Sequence, residues 1–158
     1  MNIREANRND LHCLVNAMEH LVKYVQASSQ DPYVNDIELD KQKNFRPWFE
    51  KVLSNSEGVV FLIEVDDRIV GFITGSLEKP FANTANINHI GQIGVCWVEP
   101  DYRQRGYSRA LVDTIESWFE GRGVEFVDIY YLEGNREAKH AWARLGFEPY
   151  RVASRKKL

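Results

Sequence analysis

Leu11, Leu14, Val15, Met18, Leu21, Val22 and Val25 recur at the i, i+3, i+4, i+7 spacing of one helical face. Asn7, with Asp10 three residues on, supplies a start signal for that helix, and Pro32 bounds it. Residues 31–40 read as a loop. Phe45, Trp48, Phe49, Val52 and Leu53 then form a second helical stripe, with Pro47 inside it, so this helix begins near the proline or kinks there. The period next changes from helical to extended. Residues 59–65 are a β-branched and aromatic run, Asp66-Asp67-Arg68 a polar turn, and 69–77 a second run: a hairpin signal. Gly71 and Gly75 weaken its second strand and mark a bulge or a close approach. Residues 79–88 read as a loop. Residues 90–98 alternate Ile93, Val95 and Trp97, and Pro100 ends them.

The helical period returns from Ser108 with Leu111, Ile115, Trp118 and Phe119, and Gly121 and Gly123 stop it. Residues 124–132 read as a strand. Asn135 is a helix cap, followed by inward Ala138, Ala141, Trp142 and Leu145, and Gly146 ends that helix. Residues 147–154 read as a last strand, and residues 1–5 as a short first one. The order β-α-α-β-β-β-α-β-α-β predicts a single α/β domain over residues 1–158. Its sheet is expected to be mixed and covered by helices.

Composition narrows the function classes. A chain of 158 residues with 44% apolar and 27% charged residues has the make-up of one globular domain. Twenty Lys and Arg against 23 Asp and Glu give a net charge of −3, which speaks against a nucleic-acid partner. No apolar run reaches membrane-spanning length, and the first residues lack a signal-peptide core, so no membrane partner and a cytoplasmic location are expected. Cys13 and Cys96 make no CxxC and are expected to be buried thiols. His12, His20, His89 and His140 have no metal-ligand spacing, so no metal is expected.

The chemistry concentrates in residues 95–111, VCWVEPDYRQRGYSRAL, where a buried strand ends at a proline and a loop leads into a helix. The loop carries Arg103, Arg105 and Arg109 around Gly106. Free N–H groups and the dipole at a helix start, with a glycine that lets a ligand approach the backbone, suit a phosphate or pyrophosphate. A solvated turn before a helix explains the same residues. Neither a Walker loop nor a GxGxxG fingerprint occurs.

Arg103-Gln104-Arg105-Gly106-Tyr107-Ser108 resembles the acetyl-CoA pyrophosphate loop of the GNAT superfamily of N-acetyltransferases, with Ser108 in place of the final Gly or Ala. A second block, Asn135-x-x-Ala138 through Leu145-Gly146-Phe147, resembles the family's helix after the fifth strand. The resemblance covers residues 93–150 in detail and implies a single GNAT-like domain, a mixed, mostly antiparallel central sheet flanked by helices on both faces. It implies that the central strand splays from its neighbour and that the pantetheine arm of acetyl-CoA lies in the gap. Backbone groups of Cys96, Trp97 and Val98 would bind that arm, and Asn135 would reach it. Arg103 and the N–H groups of Gln104, Arg105, Gly106, Tyr107 and Ser108 would hold the pyrophosphate.

The implied reaction is direct acetyl transfer to a primary amine of a small molecule or peptide. A free alkyl amine has a pKa near ~10.4, so a base helps it lose a proton. Glu99 is the leading base, with His89 and Glu133 as alternatives, and the backbone N–H near Val98 would serve the oxyanion. Many members carry a Tyr that protonates the leaving sulfur where this chain has Trp142, and an indole cannot act as that acid. Tyr131 is the assigned replacement, beside Tyr130, Tyr150 or solvent, since a thiol near ~8.5 leaves with little help. Asp31, Asp36, Glu38 and Asp40, in a loop without basic residues, would attract a cationic acceptor. A homodimer is expected by analogy with the family. Because of Trp142, a catalytically silent CoA-binding sensor is the alternative, and a phosphate-binding scaffold a weaker one.

Overall fold

A computed structural model describes residues 1–38, 40–82 and 86–158, with the side chains of residues 41–43 outside the description. A first strand, β1 (Asn2–Glu5), leads through a 3-10 turn into α1 (Leu11–Ser28). The Asn7 side chain accepts from the N–H of Asn9, while the Asp10 carboxylate accepts from the N–H of Asn7, so both ends of the expected start signal are used. Arg4 then grips Asp10 with two 2.8 Å bonds and Glu64 with a third, tying strand, turn and sheet together.

The expected acidic loop holds one helical turn, α2 (Pro32–Asn35), capped by the Asp31 side chain. Leu39 lies outside the described residues. The next helix, α3 (Lys41–Ser54), carries Pro47 in its interior and starts six residues before it, earlier than the proline alone suggested. The hairpin forms as read, with β2 (Gly58–Val65) and β3 (Arg68–Glu78) joined at Asp66-Asp67 in left-handed backbone. Residues 83–85 of the following loop lie outside the described residues. Then come β4 (Ile90–Val98), α4 (Tyr107–Glu120), β5 (Val127–Ile129) and α5 (Arg136–Arg144).

The sheet runs β1-β2-β3-β4-β5, antiparallel throughout except for the parallel β4–β5 pair. Helices cover both faces. On one, α1 and α3 lay Leu14, Val15, Met18 and Phe49 against Leu62, Phe72 and Trp97. On the other, α4 lays Leu111, Val112, Ile115 and Phe119 against Ile63, Ile73 and Ile93. Gly75 and Gly91 make room for the second layer, since a Cβ at either would sit within 3 Å of Ile115 or Phe119.

Three expectations need correction. Residues 147–154 are not a strand: beyond the half-buried Phe147 they are exposed, and they form no ladder, the segment being held instead by Tyr150 to Asp128, Arg151 to Tyr130 and, just after it, Arg155 to Asp31. Pro149 removes one donor from that segment, and beyond Phe147 the segment buries no apolar face. The strand read over 124–132 shrinks to three residues, because β4 turns away from it beyond Ile93. Cys13 is exposed on α1, its position lying off the buried stripe, whereas the Cys96 thiol packs against the second core layer as expected, though the residue as a whole is half-buried. No helix among the described residues is long and apolar enough to cross a membrane.

Candidate active site

The site starts from an extra residue in β4. Thr74 pairs with Val95 and Gly75 with Ile93, so Gly94 has no opposite number. Such a bulge bends its strand. The hydroxyl of Thr74, a residue only 2% exposed, fills the kink by accepting from the Val95 N–H at 3.0 Å. On the other side, β5 pairs with β4 only at Gly91, Gln92 and Ile93. From Gly94 to Val98 one edge of β4 is therefore open.

Alternation decides which groups line that opening. The N–H groups of Val95 and Glu99 turn toward β3, to Thr74 and to the carbonyl of Val70. A Cβ on Gly71 of β3 would stand 2.5 Å from the Trp97 carbonyl, so Trp97 also turns that way. The backbone groups of Cys96 and Val98 therefore face the gap. Burial pushes the Cys96 thiol up to about 12, so it stays protonated.

The loop beyond β4 is shaped by left-handed backbone at Gln104 (φ 60°) and Gly106 (φ 81°). Gly106 is the helix cap of α4, and a Cβ built there meets nothing within 4 Å. The N–H groups of Gln104, Arg105, Gly106, Tyr107, Ser108 and Arg109 find no acceptor among the described residues, while Ala110 is the first to bond back, to Gly106. Six donors thus stand at the positive end of a fourteen-residue helix, beside Gly106 and the exposed side chains of Arg105 and Arg109. Arg105 bonds the Asp101 carbonyl and Arg109 that of Arg144, which fixes the loop's flanks.

Arg103 goes elsewhere. Its Nε donates to the Val98 carbonyl at 3.0 Å, and its guanidinium lies 4.3 Å over the Tyr24 ring and 4.7 Å over Trp97. It also reaches Glu137 at 3.3 Å, and the Tyr24 hydroxyl donates to the same carboxylate. Tyr24 comes from α1, Glu137 from the first turn of α5, and Arg103 from the loop after β4. The three close a clasp across the mouth of the gap. Beneath it the Trp97 indole N–H is buried without a partner, the one such side-chain atom among the described residues.

The remaining sequence candidates divide by position. Glu99 follows β4 directly and accepts from His20 of α1 at 2.9 Å. His89 lies at the opposite end of β4, about 30 Å away at ~3.3 Å per residue, bonded to the Arg122 carbonyl. Glu133 is paired with Lys139. Asn135 caps α5 through Ala138, as read. Tyr131 is half-buried and lines a cleft of about 1610 Å³ along β5, together with Asn135 and Asp31. Tyr130 and Tyr150 hydrogen-bond to Arg151 and Asp128. Trp142 packs edge-on against Phe147 beside the second core layer.

Sequence reading missed His20 and Glu137 as site residues, and took Tyr24 only as a candidate wall for the acceptor, beside Tyr33, Phe45 and Trp48. The signal was present only faintly: His20 and Tyr24 stand four apart, one turn of α1, just outside its apolar stripe.

Residues 17–147 match the model of the acetyltransferase (GNAT) family. The chain belongs to this family. An uncharacterized N-acetyltransferase of Methanocaldococcus jannaschii is 27% identical over 113 residues, 71% of this chain. That stretch is 49% of the relative's own length, so the chain spans about half of it. Among solved structures, a tetramutant of the BH1408 protein from Bacillus halodurans superposes with a TM-score of 0.82 at 17% identity, over the whole of both chains. The aminoglycoside N-acetyltransferase AAC(6′)-Iy in complex with CoA gives 0.77 at 20% identity, over 99% of this chain and 93% of that one. These two likenesses establish the GNAT fold for this chain.

Proposed function

We propose that this chain transfers an acetyl group from acetyl-CoA to a primary amine of a small molecule or peptide. Family membership supports it, and the observation that carries it is the open edge of β4 leading to six amides at the start of α4 that have no acceptor among the described residues. The donor fits these residues. Gln104 to Ser108 hold the pyrophosphate through backbone N–H groups, with Arg105 beside them. Backbone groups of Cys96 and Val98 pair with the pantetheine amides, Trp97 forms the floor, and Asn135 flanks the arm. Bound acetyl-CoA supplies an activated thioester at the end of β4.

This chain's own residues do the rest. The Val98 N–H faces the gap and offers a donor to developing oxyanion charge. Glu99, at the lip of the gap, is part of the apparatus that takes the amine's proton. Tyr131, on the cleft wall, is the hydroxyl assigned to the leaving sulfur, because Trp142 is committed to packing. Arg103 steadies the loop through the Val98 carbonyl rather than by touching the phosphates. The acceptor enters by the cleft along β5, whose wall includes Asp31 and Glu133.

Thiol release from acetyl-CoA tests the proposal, screened over aminoglycosides, polyamines, amino acids and peptides, with Gly106→Glu as control. The wild type is expected to release thiol in proportion to amine, and Gly106→Glu to lose it, since a carboxylate there repels the pyrophosphate. Equal activity in the variant overturns the assigned loop. Trp142 favours the second reading, a CoA-binding module without turnover: heat protection by acetyl-CoA with no thiol release on any amine selects it.

A further inference from the structure

His20 sits on α1 immediately over the end of β4, and its Nδ1 lies 2.9 Å from Glu99 Oε1. An ionised carboxylate only accepts hydrogen bonds, so the proton of a neutral His20 ring is on Nδ1. The lone pair is then on Nε2, and the side chain is 56% exposed at the mouth of the gap. A carboxylate that fixes an imidazole tautomer and balances the imidazolium formed on proton uptake is the arrangement of a general base with its orienting partner. One turn on, Tyr24 reaches across the gap to α5, so the face of α1 bearing His20 overlooks the opening itself.

We propose that His20 Nε2 is the base that takes the proton from the attacking amine, and that Glu99 is its positioning residue. The inference rests on the acetyl-transfer reading above and sharpens the role given there to Glu99. Nitrogen bonds to the acetyl carbon and its proton passes to His20 Nε2. The carbon–sulfur bond breaks with its electron pair on sulfur, and His20 returns the proton to solvent. Other ionisable groups nearby are committed: Glu19 pairs with Lys23 on α1, and Tyr24, Arg103 and Glu137 bind one another. Glu99 is the carboxylate facing the ring.

The test compares His20→Gln and Glu99→Gln with wild type by thiol release on one accepted amine, between about pH 5.5 and 9.5, spanning the imidazole's ordinary value near ~6.5. His20→Gln is expected to lose about 100-fold in kcat and to lose the acidic limb of the profile, with acetyl-CoA binding unchanged by thermal shift. Glu99→Gln is expected to keep that limb and lower kcat severalfold, because the ring remains but loses the carboxylate that fixes its tautomer. A His20→Gln variant with full rate and an intact limb overturns the assignment. So does a Glu99→Gln variant without any limb beside a mild His20→Gln, which makes Glu99 the base. Nitrogen-15 shifts of the His20 ring test the same idea without turnover: a proton on Nε2 at neutral pH also overturns it. If the wild type acetylates no amine while the ring carries its proton on Nδ1, the transfer reading has failed rather than the pairing.

Discussion

Asp10 shows how one residue couples the sheet edge to the first helix. Only 7% of it is exposed, and the Arg4 guanidinium holds its carboxyl below the ordinary value of 3.8, helped by the Asn7 N–H. A lowered native pKa means that the unfolded chain binds the proton first as pH falls. The stabilisation is therefore complete above pH 3.8 and is lost as pH drops through the lower native value. Asp10→Asn should cost about 1–3 kcal/mol at neutral pH, since Arg4 loses a charged partner, and should flatten the acid dependence. Urea midpoints taken at several pH values check both. The two thiols make a second contrast. Cys13 is exposed, while burial keeps Cys96 protonated up to about 12. Because the thiolate is the reacting form, iodoacetamide at pH 8 should add one group to the native chain, at Cys13, and a second only in denaturant. Intact mass reads the count.

At the level of elements, the gap depends on two glycines with different tasks. Gly106 is needed for its backbone: at φ 81° an alanine costs about 1 kcal/mol, though nothing stands in the way of its methyl. Gly71 is needed for space, because a methyl there would come within 2.5 Å of the Trp97 carbonyl. Gly71→Ala should thus push β4 aside where it faces the gap. It should cost about 1–3 kcal/mol and weaken acetyl-CoA binding, whereas Gly106→Ala should spare β4. Denaturation with calorimetric titration separates the two. Elements that bury a regular stripe were legible in the sequence: α1, α4, β2, β3 and β4 lie where Leu14, Ile115, Val60, Ile73 and Ile93 recur at helical or alternating spacing. The turn into α4 at Gly106 and the Asn135 cap were legible because local chemistry fixes them. The last strand was not, since pairing depends on a neighbour's edge, and β5 ends at Ile129. His20–Glu99 and Tyr24–Glu137 were not, because residues 79 and 113 positions apart meet only through the fold.

Across the whole molecule, β1 to β4 form one continuous antiparallel body, while β5 and α5 join it through three backbone pairs, the second core layer and the Tyr24–Arg103–Glu137 clasp. The Glu137 carboxylate is 62% solvent-exposed, so its ion pair with Arg103 adds little to stability, as surface ion pairs generally do. Its importance lies in spanning the gap that a pantetheine arm would fill. A ligand bound in that gap touches both bodies at once and stabilises the folded state by mass action, about 2.7 kcal/mol at a hundredfold excess over its Kd. Hydrogen exchange should record where. With acetyl-CoA, the amides of Cys96 and Val98 and those of residues 104–109 should slow together, since these are the N–H groups that face the gap or find no acceptor among the described residues. The amides of Val95 and Glu99 should change little, because β3 already holds them. Glu137→Gln breaks the clasp on one side and should leave the melting temperature of the free protein almost unchanged while speeding exchange in α5. Uniform protection of odd and even residues along β4 would instead mean that the donor binds away from this edge.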